Sequence, residues 1–444
     1  MSTSAVTAVC PTGLDLDAWR IGRLDGVEEV PSGWSIRRLT EVAKLESGHT
    51  PDRSEPVYWD GDIGWLSLHD VGNLTSGLIE STKFSVTQAG IDNSSARVLP
   101  AGTVCLSRTA TVGECVLLGK AMATSQDFAN YVCGPLVDNR YLLQLFRFMK
   151  PVWTRLSGGS VHRTVYMPDF KKLAILLPPL PEQQKIARIL SSVDEAIQAT
   201  EAVIEQTKKV KQGVMNQLLT KGIGHTRFKQ TEIGEIPEGW EVMKLADTAL
   251  RERSSFVIGP FGSDLVATDY RNIGVPVIFV RDVKAEKINW VSGVYLDANK
   301  ANELKAHSVK GGDVVITKMG LPPGIAARYP DYLPEGIVTA DIIRLRPDQS
   351  KYDSHFLSCM LNGAYGRLQV KSITGGQTRP KLTLRDFKAL SFPLPPLEEQ
   401  QEISGAIGRI DCAIDCAIEE KSTLMRMKAA LMADLMTGRK RVTV

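Results

Sequence analysis

The side chains that could carry out chemistry in this chain are few and widely separated. Seven cysteines and six histidines are scattered over 444 residues. Cys412 and Cys416 lie one helical turn apart and could share a metal ion, but no second Cys or His pair lies close to them in sequence. Packing is therefore the favoured interpretation of this pair, and no metal site is predicted. The odd number and scatter of the cysteines indicate reduced thiols, as in a cytoplasm, rather than disulfides.

No sequence motif of a catalytic centre is present. The chain has neither the Asp-Pro-Pro-Tyr nor the Asn-Pro-Pro-Tyr motif of adenine methylation, no Gly-x-Gly fingerprint in a strand–turn–helix setting, and no Walker loop. The histidines have no pattern of partners that would indicate a catalytic triad. We therefore expect a binding protein with no enzymatic activity and no cofactor of its own.

The remaining candidates are polar and basic residues on segments that occur twice. One is a predicted strand end, LSRT at 106–109 and ITKM at 316–319, and the other is a glycine loop, GGSVHR at 158–163 and GGQTRPK at 375–381. Such groups contact the phosphates and base edges of nucleic acids. The alternative for each cation is an ordinary solvated surface charge. The candidates for DNA contact are Ser107, Arg108, Thr109, Ser160, His162, Arg163, Thr317, Lys318, Gln377, Thr378, Arg379 and Lys381, with Arg281, opposite His69 in the first copy, as a further candidate.

A long internal repeat must position these segments. EVPSGW at 29–34 recurs as EIPEGW at 235–240, and LSGGSVHRTVYMPDFKKL at 156–173 parallels ITGGQTRPKLTLRDFKAL at 373–390. Pro178–Ile197 and Pro395–Ile414 are identical at ten of twenty positions. Each copy predicts a block of short strands and helices followed by one long helix. Trp34 and Trp240 are interpreted as core anchors at the start of each block.

Both long helices carry a coiled-coil seam. Ile186, Leu190, Val193 and Ile197 follow the 4-3-4 spacing of such a seam, and the same positions in the second helix are all isoleucine. One helix alone would expose its apolar stripe to water, whereas two copies can bury each other's stripes. We therefore predict an α/β protein in which two similar mixed α/β domains are separated by two long helices that form an antiparallel coiled coil, with pseudo-twofold symmetry. A parallel pairing, or helices that each pack only on their own block, are the alternatives.

These features predict six segments. They are an N-terminal arm over 1–30, a first domain over 31–177, a helix over 178–221, a connector over 222–236, a second domain over 237–394, and a second helix with its tail over 395–444.

The composition, with 43% hydrophobic and 23% charged residues, is typical of a soluble globular protein, and no apolar stretch is long enough to cross a membrane. The net charge of +3 is small for a nucleic-acid-binding protein of this size. If DNA is the partner, positive charge must be concentrated locally or supplied by another subunit.

One arrangement of motifs is specific enough to indicate a family. The motif LPPLxEQQxI, followed by a coiled-coil helix, is present twice, and each block opens with Pro-x-Gly-Trp. Over residues 27–437 this order resembles the specificity subunit of type I restriction–modification systems. The arm at 1–26 departs from a minimal member of that family.

The resemblance implies a non-catalytic subunit that recognises a split sequence in double-stranded DNA, one half by each target-recognition domain. It also implies two methylation subunits that use S-adenosylmethionine and two motor/nuclease subunits that use ATP and Mg. Two other classes remain open. One is an adaptor that binds proteins rather than DNA, and the other is a fused enzyme whose motif has diverged.

Overall fold

The computed structural model describes residues 22, 24, 29–70, 72, 77–157, 163–375 and 381–442. Most of the N-terminal arm therefore lies outside the described residues. The chain divides into two compact units: unit 1 combines Met1–Ala202 with Ile418–Val444, and unit 2 is Val203–Ala417. Both divisions fall inside a long helix, so each unit contains a part of both helices.

The helices of the described residues include two that are much longer than the rest. They are α1 (Leu39–Val42), α2 (Gln88–Asp92), α3 (Asn139–Phe148), α4 (Lys150–Leu156), α5 (Met167–Lys172), α6 (Leu180–Lys221), α7 (Ala298–Glu303), α8 (Ser354–Asn362), α9 (Ala364–Ser372), α10 (Leu384–Lys388) and α11 (Leu397–Leu435). No helix among these residues combines the length and apolar character that a membrane span requires.

Unit 1 is built around a five-stranded sheet with the order β2-β9-β6-β7-β4. Its strands are β1 (Ser35–Arg38), β2 (Ala43–Ser47), β3 (Trp59–Leu66), β4 (Leu78–Ile79), β5 (Phe84–Val86), β6 (Val104–Ser107), β7 (Cys115–Leu118), β8 (Ala123–Thr124), β9 (Phe128–Cys133) and β10 (Ala174–Leu177). The central strand β6 is buried on both faces, because Val104 and Leu106 pack in one apolar cluster and Cys105 in another. Strands β5-β3-β8 form a second sheet, and β1 pairs with β10.

Unit 2 repeats the central part of this plan with a four-stranded sheet, β14-β23-β20-β21. Its strands are β11 (Phe228–Thr231), β12 (Gly234–Pro237), β13 (Glu241–Lys244), β14 (Phe256–Ile258), β15 (Val275–Ile278), β16 (Val283–Lys284), β17 (Lys287–Ile288), β18 (Tyr295–Leu296), β19 (Ser308–Val309), β20 (Val314–Thr317), β21 (Ala326–Arg328), β22 (Gly336–Val338), β23 (Ile342–Leu345) and β24 (Ser391–Leu394). Strand β20 is buried along its whole length, like β6. Strands β18-β15-β22-β19 form a second sheet, and β13 pairs with β24 as β1 pairs with β10.

Within each unit the two long helices run in opposite directions. In unit 1, Lys428 of α11 pairs with Asp194 of α6 (2.6 Å), and Lys421 of α11 pairs with Glu201 of α6 (2.5 Å). Residue numbers therefore rise along α11 as they fall along α6. In unit 2, Lys211 Nζ lies 2.6 Å from Asp411 Oδ1, and the backbone N–H of Ile223, two residues after the end of α6, donates to Glu399 near the start of α11 at 2.9 Å. The predicted antiparallel pairing is therefore confirmed inside each unit.

Each unit also takes core residues from both helices. The main core of unit 1 includes Ile186 and Leu190 of α6 together with Leu435 of α11. The main core of unit 2 includes Leu219 of α6 and Ile407 of α11. The alternative in which each helix packs only on its own block is wrong.

The repeated Pro-x-Gly-Trp and Glu-Gln-Gln motifs recur together because they contact each other. The indole Nε1 of Trp34 donates to Glu182 Oε2 at 3.0 Å, and that of Trp240 donates to Glu399 Oε2, also at 3.0 Å. Both indoles are buried, which confirms them as core anchors. Each pair joins the start of a block to the start of the long helix that follows it.

The glutamine after each of these glutamates, Gln183 or Gln400, joins the same helix start to a second segment of the block. Gln183 Oε1 accepts from the backbone N–H of Asp138, and Gln400 Oε1 from that of Asp353, each at 2.9 Å. Asp138 and Asp353 in turn cap α3 and α8 through their carboxylates. Both amides also donate to the carbonyl of the first proline in their own motif, at 2.8 Å. The motif therefore positions the block on the helix.

Candidate nucleic-acid interface

In unit 1 the predicted strand-end site is only partly exposed. Ser107 is fully buried, and its hydroxyl lies 3.1 Å from the carbonyl of Thr109. The next residue, Arg108, is half-buried and uses its guanidinium to hold two neighbouring segments, donating from Nε to Val165 O (3.1 Å) and from Nη1 to Gln126 O (3.3 Å). In this conformation Ser107 is shielded from the surface, and Arg108 connects the loops around the strand end.

The structure places the predicted strand end of unit 1 beside the segment that follows the glycine loop. The backbone N–H of Val165 donates to Arg108 O at 2.9 Å, and Thr109 forms an isolated bridge with Thr164. Thr109 Oγ1 also donates to Asp127 Oδ1 at 2.7 Å. Arg163 is exposed directly beside this junction. Ser160 and His162 lie outside the described residues.

Unit 2 repeats this junction with different side chains. The backbone N–H of Leu382 donates to Lys318 O at 3.0 Å, and Met319 forms an isolated bridge with Lys381. Lys381 is exposed, whereas Thr317 is 3% exposed and its hydroxyl accepts from a backbone N–H inside the unit. Gln377, Thr378 and Arg379 lie outside the described residues.

Lys318 holds a loop of unit 2 that corresponds to the loop held by Arg108 in unit 1. Its backbone N–H donates to Asp341 O at 2.7 Å and its Nζ to Ala340 O at 3.4 Å. In unit 1 the corresponding bonds run from Arg108 to Asp127 O and Gln126 O. Gln126 and Ala340 therefore occupy equivalent positions at the edge of the two surfaces. This loop is not among the segments predicted from the sequence.

A signal for the missed loop is present in the sequence. TSQDF at 124–128 aligns with VTADI at 338–342, so the aspartate is shared and the residue before it differs. Gly48 lies beside this loop, since a Cβ at that position would stand 2.0 Å from Ser125 O. Gly259 has the same relation to Thr339, with 2.1 Å to its carbonyl oxygen. Both loops are therefore held by a close backbone approach that only glycine permits.

A second missed group lies beside Gln126 in unit 1. Thr50 Oγ1 donates to Gln126 Oε1. Three residues further, the exposed guanidinium of Arg53 lies 5.5 Å from the ring centre of Trp59 and 5.7 Å from that of Trp65. Arg53, Gln126 and Arg163 thus provide exposed hydrogen-bond donors on unit 1, each a group that binds phosphates or base edges.

Arg281 of unit 2 borders an open cleft of about 510 Å³. The cleft is lined by Pro260, Gly262, Leu265, Tyr270, Phe279, Val280, Arg281, Thr339, Ala340 and Asp341. Since Lys318 bonds to two of these lining residues, the cleft adjoins the predicted strand-end site of the same unit.

Metal binding finds no support in the part of the chain that the structure describes. No three His, Cys, Asp or Glu side chains there come together as a metal site would require. Cys412 and Cys416 are both exposed on α11, so the packing role predicted for them is wrong.

Comparison with known proteins gives a consistent result over nearly the whole chain. The family model described as type I restriction modification DNA specificity domain matches residues 31–209 and 263–423. The chain is 26% identical over 424 residues to the type I restriction enzyme MjaVIII specificity subunit of Methanocaldococcus jannaschii, covering 93% of this chain and 94% of that protein. It is 22% identical over 408 residues to the EcoKI specificity subunit of Escherichia coli strain K12, covering 84% of this chain and 81% of that protein.

Two solved structures share the fold. The crystal structure of the type I restriction-modification system S subunit from M. genitalium has a TM-score of 0.57 at 15% identity, covering 93% of this chain and 98% of that one. A chain from a structure described as the basis of complex assembly and conformational transition of the type I R-M system has a TM-score of 0.58 at 18% identity, covering 92% of this chain and 98% of that one. At these identities the likeness concerns the fold alone.

Proposed function

Because the chain belongs to the type I restriction–modification DNA specificity family, we propose that it binds a bipartite target in double-stranded DNA, with one half-site for each unit. The observation that carries this proposal is the duplicated surface with unlike exposed residues. The same bonds hold Arg108 to Gln126 in unit 1 and Lys318 to Ala340 in unit 2. Two surfaces with one framework and different side chains suit two half-sites of different sequence.

In this proposal the chain itself is not an enzyme. Chemistry is supplied by partners, which are two methylation subunits using S-adenosylmethionine and two motor/nuclease subunits using ATP and Mg. The small net charge of +3 fits a chain that shares its DNA with such partners.

We assign docking of the partner subunits to the long helices. Exposed apolar side chains on them support this role, because apolar groups left in water on a helix indicate a partner when they cluster. In unit 2, Val203 and Val210 are 56% and 48% exposed, and in unit 1, Ile418 and Met425 are 47% and 54% exposed. Each pair is spaced by seven residues and so lies along one line of its helix.

DNA binding is tested on the chain co-purified with methylation subunits. We expect affinity for duplex DNA to fall steeply as salt rises, with a linear dependence of log K on log salt. The exposed cations Arg163 and Lys381 are the first to replace by alanine, and each loss of a phosphate contact reduces the salt slope by about one. Arg108→Ala and Lys318→Ala should also weaken binding, and they additionally release the loops that these side chains hold.

The controls separate this proposal from its rivals. An adaptor that binds only proteins would give no salt-sensitive DNA binding, and wild-type affinity in all four variants would contradict the assigned surface. Tight binding of S-adenosylmethionine or ATP by the isolated chain would favour a fused enzyme.

Docking is tested by breaking a helix. Leu190→Pro or Ile407→Pro removes a backbone hydrogen bond inside α6 or α11 at a fully buried position and should abolish co-purification of the methylation subunits. Leu190→Ala is the matched control, since it deletes side-chain volume but keeps the helix. Co-purification that survives both prolines would overturn the assignment of docking to the helices.

A further inference from the structure

A short turn after β15 displays Arg281 on a rigid support. The turn comprises Val280–Asp282, and the carboxylate of Asp282 is fully buried beneath it. Asp282 Oδ2 accepts from the backbone N–H of Phe279 at 2.9 Å, and Oδ1 accepts from the N–H groups of Val291 and Ser292 at 3.0 Å each. One carboxylate therefore fixes both the turn and the segment beside it.

Unit 1 contains an equivalent turn, in which a different side chain is exposed. In the turn Leu68–Asp70, Asp70 is 2% exposed. Its Oδ2 accepts from the N–H of Ser67 at 2.9 Å and its Oδ1 from the N–H of Lys83 at 2.7 Å. The residue before the aspartate is the exposed His69 in unit 1 and the exposed Arg281 in unit 2. Each unit therefore has its own buried aspartate beneath the turn, but the exposed side chain differs between the two units.

The guanidinium of Arg281 is held in one orientation. Its Cζ lies 4.5 Å from the ring centre of Phe279. Its Nε donates to Ser292 Oγ at 2.8 Å, and that hydroxyl in turn lies 2.6 Å and 2.7 Å from the two oxygens of Asp282. Within the described residues the two terminal nitrogens of Arg281 have no hydrogen-bond partner, and the side chain lines the open cleft of unit 2.

A fixed guanidinium with two free terminal nitrogens matches one base edge. Arginine donates in parallel to O6 and N7 of guanine, the commonest specific contact in the major groove. Because the side chain is already ordered by Phe279 and Ser292, less conformational entropy is lost on binding. An arginine that binds a phosphate needs no such support, since phosphate contacts carry no sequence information.

We propose that Arg281 recognises a guanine in the half-site bound by unit 2, with Asp282 and Ser292 as positioning residues, and that His69 occupies the corresponding specificity position of unit 1. This inference rests on the proposed function, since it presumes that unit 2 binds half of a split DNA target.

The test uses the complex of the full chain with methylation subunits, and methylated adenines are mapped by sequencing in a host without other methylation. The wild-type complex should give a split motif with a fixed guanine in one half. Arg281→Ala should keep the other half intact and lose discrimination at that guanine by about 10- to 100-fold. Arg281→Lys should lose it as well, because an ammonium does not form the paired contact.

Two further variants sharpen the result. Ser292→Ala should relax the same base position by several-fold while the other half of the motif stays intact. Arg227→Ala is the matched control, since Arg227 is an exposed arginine of unit 2 that pairs with Glu238 instead of lining the cleft, and it should leave the motif unaltered.

The outcomes are distinguishable. A split motif that is unchanged in Arg281→Ala would overturn this inference and leave the proposed function standing. Weaker methylation of all sites in Arg281→Ala, restored in Arg281→Lys, would also overturn it, because that pattern marks a phosphate contact. A wild-type complex that gives no split motif would overturn the proposed function, and this inference with it.

Discussion

Replacing Arg441 by alanine should detach the C-terminal tail of unit 1. Arg441 donates from Nε and a terminal nitrogen to the two oxygens of Glu182, at 2.7 Å and 2.8 Å. The carboxylate is 3% exposed and also accepts from Trp34, whereas the Arg441 side chain is 41% exposed. Loss of a partner from a fully buried pair costs about 3–5 kcal/mol. Because one partner here is half in water, we expect about 2 kcal/mol.

The pH dependence of this loss has a definite sign. Burial raises the pKa of Glu182, but the bonds from Arg441 and Trp34 outweigh burial and hold that pKa below its usual value. A carboxyl whose pKa is depressed by folding contributes stability above its unfolded pKa of about 4.3 and loses it as the pH falls through the folded pKa. The difference between wild type and Arg441→Ala should therefore be full at neutral pH and shrink on acidification below about pH 4.

Calorimetry measures the predicted loss of stability, and hydrogen exchange measures the predicted detachment of the C-terminal tail. For a unit of this size, about 2 kcal/mol lowers the melting temperature by about 4–8 °C. Peptides that cover residues 436–442 should exchange faster in the variant. Arg439→Ala is the control, because Arg439 is exposed and pairs with Asp434 at 3.4 Å, a contact that contributes little. A shift in Arg441→Ala no larger than in Arg439→Ala, or one that persists undiminished in acid, would refute the reasoning.

Three other perturbations have clear expected results. Lys211→Met should cost about 3 kcal/mol in denaturant unfolding, because it leaves Glu286 and Asp411 without the mostly buried cation that they share. Burial lowers the pKa of Lys211, but its two acidic partners raise it overall, so this contribution should disappear only as the pH rises through the raised pKa, above about pH 10.5. Gly48→Ala should destabilise unit 1 by about 2–3 kcal/mol in thermal melts, because its Cβ would stand 2.0 Å from a backbone carbonyl. Alkylation of the native chain at about pH 8, mapped by mass spectrometry, should modify the exposed Cys412 and spare Cys115, since burial raises the pKa of that thiol to about 12. Rapid labelling of Cys115, or unchanged stability of either of the first two variants, would contradict the packing described.

The repeat made the helices and their pairing predictable. A seam of apolar residues at 4-3-4 spacing leaves a lone helix with an exposed stripe, and the matching seam in the second helix offered its cover. The role of the glutamate and glutamine at each helix start was not predictable in the same way. Trp34 and Glu182 are far apart in sequence. Their recurrence in both copies indicated that each has a role, but it did not indicate that the two side chains contact each other.

The sequence did not show which side chains of the predicted interface are exposed and which are buried. Ser107 and Thr317 end strands that are buried on both faces, and such strands lack the alternation of polar and apolar residues that tells an inward side chain from an outward one. Gln126 and Arg53 were missed because they reach the surface of unit 1 from separate segments. Only the tertiary structure places Gln126 beside Arg108, and Thr50, three residues before Arg53, beside Gln126.

The duplication, the two long helices with their matching apolar seams, and the family resemblance could all be read from the sequence, because they depend on periodicity and on motifs that are local in the chain. Three features became visible in the folded chain alone. Each compact unit takes parts of both antiparallel helices, particular residues line each surface, and a buried aspartate supports Arg281 in one unit and His69 in the other. These features depend on contacts between distant segments, whose free energy is set by burial and hydrogen-bond geometry in the folded chain.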